Sequence, residues 1–117
     1  MTIAGPDAAT IVDLEPQDLL RMRAGVCVLD VRERAEFEGE LGRIPGARSV
    51  PLAELSSFRG HGPKHEPVLL VCRSGRRSLE AAATLIQSGF TRVFNLRGGM
   101  QAYRAAGLSV EHGPCPR

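Results

Sequence analysis

Cys72 is the residue of this chain best placed to do chemistry. It closes the apolar run Val68-Leu69-Leu70-Val71. Arg73-Ser74-Gly75-Arg76-Arg77-Ser78 follow, and then Leu79-Glu80-Ala81-Ala82-Ala83-Thr84-Leu85-Ile86 has the composition of a helix. A strand that stops and a helix that begins so close together leave a tight loop. Its backbone N–H groups and the helix N-terminus make a site for an anion. A thiol held there has its thiolate stabilised by the helix end and by the nearby arginines, which lowers its pKa and makes it a nucleophile. The same pattern fits a small buried hydrophobe followed by solvated loop charges, so the loop alone leaves both readings open.

Other residues near the loop are given roles on the same grounds. Gly75, mid-loop, is expected to supply a turn with positive φ or a close approach of backbone to ligand. Ser78 is read first as the N-cap of the following helix and second, with Ser74, as a hydroxyl donor to a ligand bound in the loop. Asp30 and Arg32 lie at the end of another apolar run; Asp30 either orients the cysteine loop or bonds Arg32 and nearby backbone. Cys27, inside Val26-Cys27-Val28-Leu29, is expected to be a buried inert thiol. Cys115 is expected to do nothing, although a resolving or intermolecular role stays open. Three cysteines without a CxxC pair suggest neither a disulfide framework nor zinc. His61 and His65 lack a third ligand, and His112 carries no signal. We therefore expect no metal and no cofactor.

The elements that must position these residues alternate. β-rich segments fall at Thr10–Val12, Val26–Asp30, Ala47–Val50, Val68–Val71 and Val93–Leu96. Between them, Pro16 opens a helix carrying Leu19, Leu20 and Met22 that stops at Gly25. A short acidic helix is expected from Glu33 to Glu40, and another around Leu52, Leu55 and Phe58. Leu79, Ala82, Ala83 and Ile86 stand at i, i+3, i+4 and i+7 and predict the buried face of a helix ended by Gly89. Met100 and Tyr103 anchor a last helix closed by Gly107. Strands alternating with helices predict an α/β fold, a mainly parallel five-stranded sheet with helices on both faces. In such sheets ligands bind beyond the carboxyl ends of the strands, which is where Asp30 and Cys72 fall.

Several separated motifs then agree. Val28-Leu29-Asp30-Val31-Arg32-Glu33, Glu36-Phe37 and Gly42-Arg43-Ile44-Pro45-Gly46-Ala47 resemble the first signature of the rhodanese-like domains. Cys72-Arg73-Ser74-Gly75-Arg76-Arg77-Ser78 resembles their active-site loop, and Leu96-Arg97-Gly98-Gly99-Met100-Gln101-Ala102-Tyr103 their C-terminal signature. Arg43 and Tyr103 depart from the family's usual His and Trp. The resemblance implies a thiosulfate-type sulfurtransferase. Its Cys72 thiolate would take the sulfane sulfur of a donor, release sulfite, and pass the sulfur from a persulfide to cyanide, a small thiol or a thiol protein. The donor is an anion, so Arg73, Ser74, Gly75, Arg76, Arg77 and Ser78 are expected to bind it, with Asp30 and Arg32 supporting the loop. Related phosphatases and arsenate reductases carry Cys-x5-Arg. Here the sixth residue after the cysteine is Ser78 and the arginine comes one earlier, at Arg77, so oxyanion chemistry ranks below sulfur transfer. A sulfur-relay or sensing module acting on a protein partner is the alternative.

Bulk properties exclude other classes. With 117 residues, 43% apolar and 24% charged, the chain fits one globular domain. It is divided as an extension over 1–9, the domain over 10–110 and a flexible tail over 111–117. A net charge of +2 and few aromatics do not favour nucleic acid. No signal peptide and no membrane-length apolar run are evident, so a cytoplasmic location is expected.

Overall fold

A computed structural model of the chain describes residues 10–22, 25–58 and 64–114. The expected N-terminal extension, His61 and Cys115 lie outside the described residues. In chain order the elements are β1 (Ile11–Leu14), α1 (Pro16–Met22), β2 (Cys27–Asp30), α2 (Arg34–Phe37), β3 (Arg48–Ser49), a 3-10 helix (Leu52–Ser57), β4 (Val68–Val71), α3 (Arg76–Gln87), β5 (Val93–Leu96) and α4 (Gly99–Ala105). The strands form one five-stranded sheet in the order β1-β5-β4-β2-β3, with every pairing parallel.

β4 lies at the centre of the sheet, and all four of its residues are buried, as expected for an apolar strand covered on both faces. Side chains alternate along it. Val68, Leu70 and then Cys72 join one core with Leu29, Ala81, Ala82, Leu85 and Phe90. Leu69 and Val71 join the other, with Leu19, Leu96, Met100 and Tyr103. Among the described residues no helix is long and apolar enough to cross a membrane.

The sequence expectations hold in outline and shift in detail. β1 runs Ile11–Leu14 rather than Thr10–Val12, and β3 is only Arg48–Ser49 rather than Ala47–Val50. α2 is confined to Arg34–Phe37, where the Glu36 carboxylate accepts the Glu33 N–H at 3.0 Å.

The buried face of α3 is Ser78, Ala81, Ala82 and Leu85, one residue back from the expected frame, and Leu79 is 44% exposed. A polar residue occupies one position of the buried stripe, so an apolar-only reading places the stripe one residue late.

The segment from Glu111, expected as a flexible tail, is bound as far as Pro114. Arg43 and Glu111 exchange two backbone hydrogen bonds of 2.9 Å. The Arg43 guanidinium, on a residue 5% exposed, donates to Gly113 O at 2.7 Å and to Phe37 O at 3.3 Å while lying over the Phe37 ring. A buried cation needs acceptors, and the tail supplies some of them. The Tyr103 hydroxyl donates to Ser109 O at 2.7 Å.

Candidate active site

Cys72 follows the last residue of the central strand and is 1% exposed. The chain then turns back so that the Gly75 N–H donates to Sγ at 3.0 Å. This needs the left-handed backbone of Gly75 (φ +103°), the residue that opens α3. Gly75, not Ser78, is therefore the N-cap. Ser78 stands inside the first turn of α3, fully buried, with Oγ 3.3 Å from Sγ. The geometry favours the second of the two sequence readings for Ser78, a hydroxyl facing the sulfur.

The loop's N–H groups face the sulfur while its carbonyls face α4. Cys72 O accepts the Met100 N–H at 2.8 Å, and Arg73 O accepts the Gln101 N–H at 3.0 Å. Those carbonyls satisfy donors that a helix N-terminus otherwise leaves open. They also dictate Gly99: a Cβ there would lie 2.5 Å from both carbonyl oxygens, and its φ is +61°.

Burial opposes ionisation of Cys72. The Ser78 hydroxyl and the backbone N–H groups of Ser78, Gly75 and Ser74 favour it and prevail, so the thiol is held below its ordinary pKa. Cys27 is the contrast, because burial pushes its thiol up although Arg48 pulls the other way. Its expected inertness agrees with that direction, although the residue is only half-buried.

The loop arginines separate into two kinds. Arg73 and Arg76 are exposed. Arg77, expected to face a donor anion, is drawn to α2, where it forms a two-pronged pair with Glu36 at 2.7 and 3.0 Å. That hydrogen-bonded guanidinium holds the Glu36 carboxyl down at about 2, and the carboxylate raises Arg77 in turn. Between α2 and the loop lies a cleft of about 350 Å3, with Ala35, Glu36, Glu40, Leu41 and Arg73 in its walls.

Asp30 and Arg32 are both buried and joined at 2.8 and 2.7 Å, and Arg32 also donates to Gly42 O at 2.9 Å. Asp30 also accepts the Arg32 backbone N–H at 3.1 Å, which is the second of its two sequence readings. The pair fastens the end of β2 to the turn at Gly42, and Arg32 lines the cleft together with Arg73. Among the described residues no group of three His, Cys, Asp or Glu side chains could hold a metal ion.

Two neighbours of the site were not singled out from the sequence. Asn95, 3% exposed on β5, accepts the Ser78 hydroxyl at Oδ1 and donates from Nδ2 to Asp13 at 3.0 Å. A lone Asn at an inward strand position is disfavoured, and that signal marks Val93-Phe94-Asn95-Leu96. Glu36 is named only within the Glu36-Phe37 motif and given no role, because its partner Arg77 lies far away in the sequence.

The arrangement is a thiol biased toward thiolate, inside a nest of N–H groups, with the exposed Arg73 in the wall of the neighbouring cleft. Comparison with known proteins gives a consistent result. The family model described as Rhodanese-like domain matches residues 15–106. A protein of Bacillus subtilis named "Uncharacterized protein YqhL" is 42% identical over 76 residues, which cover 65% of this chain and 59% of that protein. The chain thus spans less than two thirds of that relative. "Thiosulfate sulfurtransferase GlpE" of Ectopseudomonas mendocina is 34% identical over 93 residues, covering 79% of this chain and 84% of the relative. Among solved structures, a rhodanese-related protein from Thermoplasma volcanium superposes with a TM-score of 0.75 at 27% identity, covering 85% of this chain and 96% of the other.

Proposed function

The chain belongs to the rhodanese-like domain family, and on that premise we propose that it is a sulfurtransferase carrying a sulfane sulfur on Cys72. The Cys72 thiolate attacks the outer sulfur of thiosulfate or a related persulfide donor. A new S–S bond forms to Sγ as the donor's own S–S bond breaks, and sulfite, or the donor's thiolate, leaves with the electron pair. A thiol, as its thiolate, or cyanide then attacks the outer sulfur, and the electron pair of the Cys72 S–S bond returns to Sγ. Two half-reactions through a covalent enzyme predict ping-pong kinetics.

The observation that carries this reading is the Gly75 N–H on Sγ inside a loop whose carbonyls are consumed by α4. Such a nest stabilises the attacking thiolate, and it can stabilise the persulfide anion in the same way. Arg73 and Arg76 are the proposed contacts for the donor's anionic end, and Ser74, Gly75 and Ser78 for the transferred sulfur. Arg77 shapes the site through Glu36. With a serine hydroxyl, not a guanidinium, facing Sγ from the sixth position, the loop favours sulfur transfer over phosphoryl or arsenate chemistry. Free thiols as acceptors suit a reducing compartment such as the cytoplasm, which we include in the proposal.

The test is intact-protein mass after thiosulfate and then after cyanide, with Cys72→Ser alongside. The expected result is one added sulfur atom on the wild type, removed by cyanide and absent from the variant. No added sulfur with thiosulfate or with glutathione persulfide overturns the reading.

A further inference from the structure

The Ser78 hydroxyl has one proton and two neighbours able to accept it. Its Oγ lies 3.3 Å from Cys72 Sγ and also contacts Asn95 Oδ1. Asn95 donates from Nδ2 to Asp13 Oδ1 at 3.0 Å. An ionised carboxylate only accepts, so Asp13 dictates which end of the Asn95 amide it faces. The other end, Oδ1, faces Ser78 and also only accepts. The Ser78 proton therefore goes to Asn95, which leaves lone pairs on the side of Oγ that faces the sulfur. Against lone pairs the cysteine acts as donor, S–H to Oγ. Ser78 is 0% and Asn95 3% exposed, so both depend on partners inside the protein.

We propose that Asn95 and Asp13 are positioning residues for the nucleophile: they hold the Ser78 hydroxyl toward Asn95 while Cys72 is a thiol, so the thiolate that the N–H nest favours gains the Ser78 hydrogen bond only once that hydroxyl turns to Sγ. The inference rests on the reading of Cys72 as the sulfur carrier, but its test does not require sulfur to move. On ionisation the thiol proton leaves to solvent or base, and the Ser78 proton swings from Oδ1 to the thiolate. Asn95 Oδ1 then faces a bare oxygen. Turning the amide over would repair that contact, but would set Oδ1 against the Asp13 carboxylate. The charge on β1 thus reaches the sulfur through three hydrogen bonds, by way of Asn95 and Ser78.

The other charged groups around Cys72 act through space. Arg73 from the loop and Arg76 and Arg77 from the start of α3 favour the thiolate. Glu36 on α2 largely offsets Arg77, and Asp30 on β2 is offset by Arg32. Arg97, after β5, is paired with Glu15, and Arg104 of α4 is bound to the Glu40 and Leu41 carbonyls. None of them directs the Ser78 proton.

The experiment is the pH profile of Cys72 alkylation by iodoacetamide, read on its own peptide by mass spectrometry. It is run for wild type, Asp13→Asn, Asn95→Ala, and each of these combined with Ser78→Ala. Asp13→Asn and Asn95→Ala are expected to lower the apparent pKa of Cys72 by about one unit, the scale of one hydrogen bond to a charged group. Both shifts are expected to vanish in the Ser78→Ala background. A shift that persists without Ser78 is a plain charge effect and overturns the proposal, as does an unchanged or raised pKa. Asp13→Asn keeps the shape of an exposed strand residue and carries the test if Asn95→Ala does not fold. Alkylation needs no sulfur donor, so a failure here leaves the added-sulfur measurement to decide the proposed function separately.

Discussion

Arg73 and Arg77 flank the same loop, but their surroundings give them different work. Arg77 is committed to a carboxylate on α2, whereas Arg73 is exposed and lines the cleft beside the cysteine. Under the proposed function, Arg73→Ala is expected to raise KM for thiosulfate about tenfold with a smaller change in kcat. The basis is a lost charged hydrogen bond of about 1.5 kcal/mol, and steady-state kinetics over thiosulfate concentration check it. Unchanged KM would remove Arg73 from the donor site. At this scale the sequence exposed the proposed nucleophile and its loop but not the partners that lie on other elements. Cys72 was legible because an apolar run ends on it and glycine and arginines follow. Asn95 and Asp13 were not, because they act through Ser78, and a sequence does not show which hydroxyl meets which amide across strands. The commitment of Arg77 was hidden for the same reason, since Glu36 is near it only after folding.

Among the elements, α3 and α4 act together on the loop. α3 supplies Gly75 and Ser78 on the sulfur side, and α4 holds the carbonyl side through Met100 and Gln101. The contact is close enough that Gly99→Ala drives a Cβ into both carbonyls. Gly99→Ala is expected to lower stability by about 2 kcal/mol, a cost typical of a strained left-handed position. It should also cut the rate of sulfur loading at least tenfold, because the loop must move off α4. A urea midpoint and a single-turnover loading rate test the two effects. Loading at the wild-type rate would show that α4 does not set the loop.

The parallel sheet was legible from alternating element types, and β4 from its apolar run. β3 was legible as a strand at Ala47–Val50 but not in its two-residue length, because its pairing is limited to Leu29 and Asp30. The frame of α3 was misplaced by one residue because serine, buried and bonded, takes a position that hydrophobicity assigns to its neighbour.

For the whole molecule, the sheet order decides where reactivity can arise. The central strand feeds both cores and ends on Cys72, so packing from each face converges on the loop. The bound tail was not legible. Glycine, proline and charge from Glu111 on read as a flexible tail, and nothing local shows that Arg43 lies buried and short of acceptors. Arg43→Met, which keeps an apolar stem over Phe37, is expected to lower stability by about 2 kcal/mol through the lost bonds from its guanidinium to carbonyls, measured as a shift in urea midpoint. An unchanged midpoint would mean the tail contributes nothing to the fold.

The Arg43–Glu111 contact also changes the topology of the chain. It closes a ring that begins beside α2 and runs through β3, β4, the cysteine loop, β5 and α4 before meeting its own start. Every residue proposed to touch the transferred sulfur lies inside that ring, while Asp13 reaches in from outside through one amide. A loop sealed at its base is a smaller conformational space to search. The part of the chain proposed to handle sulfur is therefore tied off by the Arg43–Glu111 bridge, as a cord is by a knot, without a covalent bond.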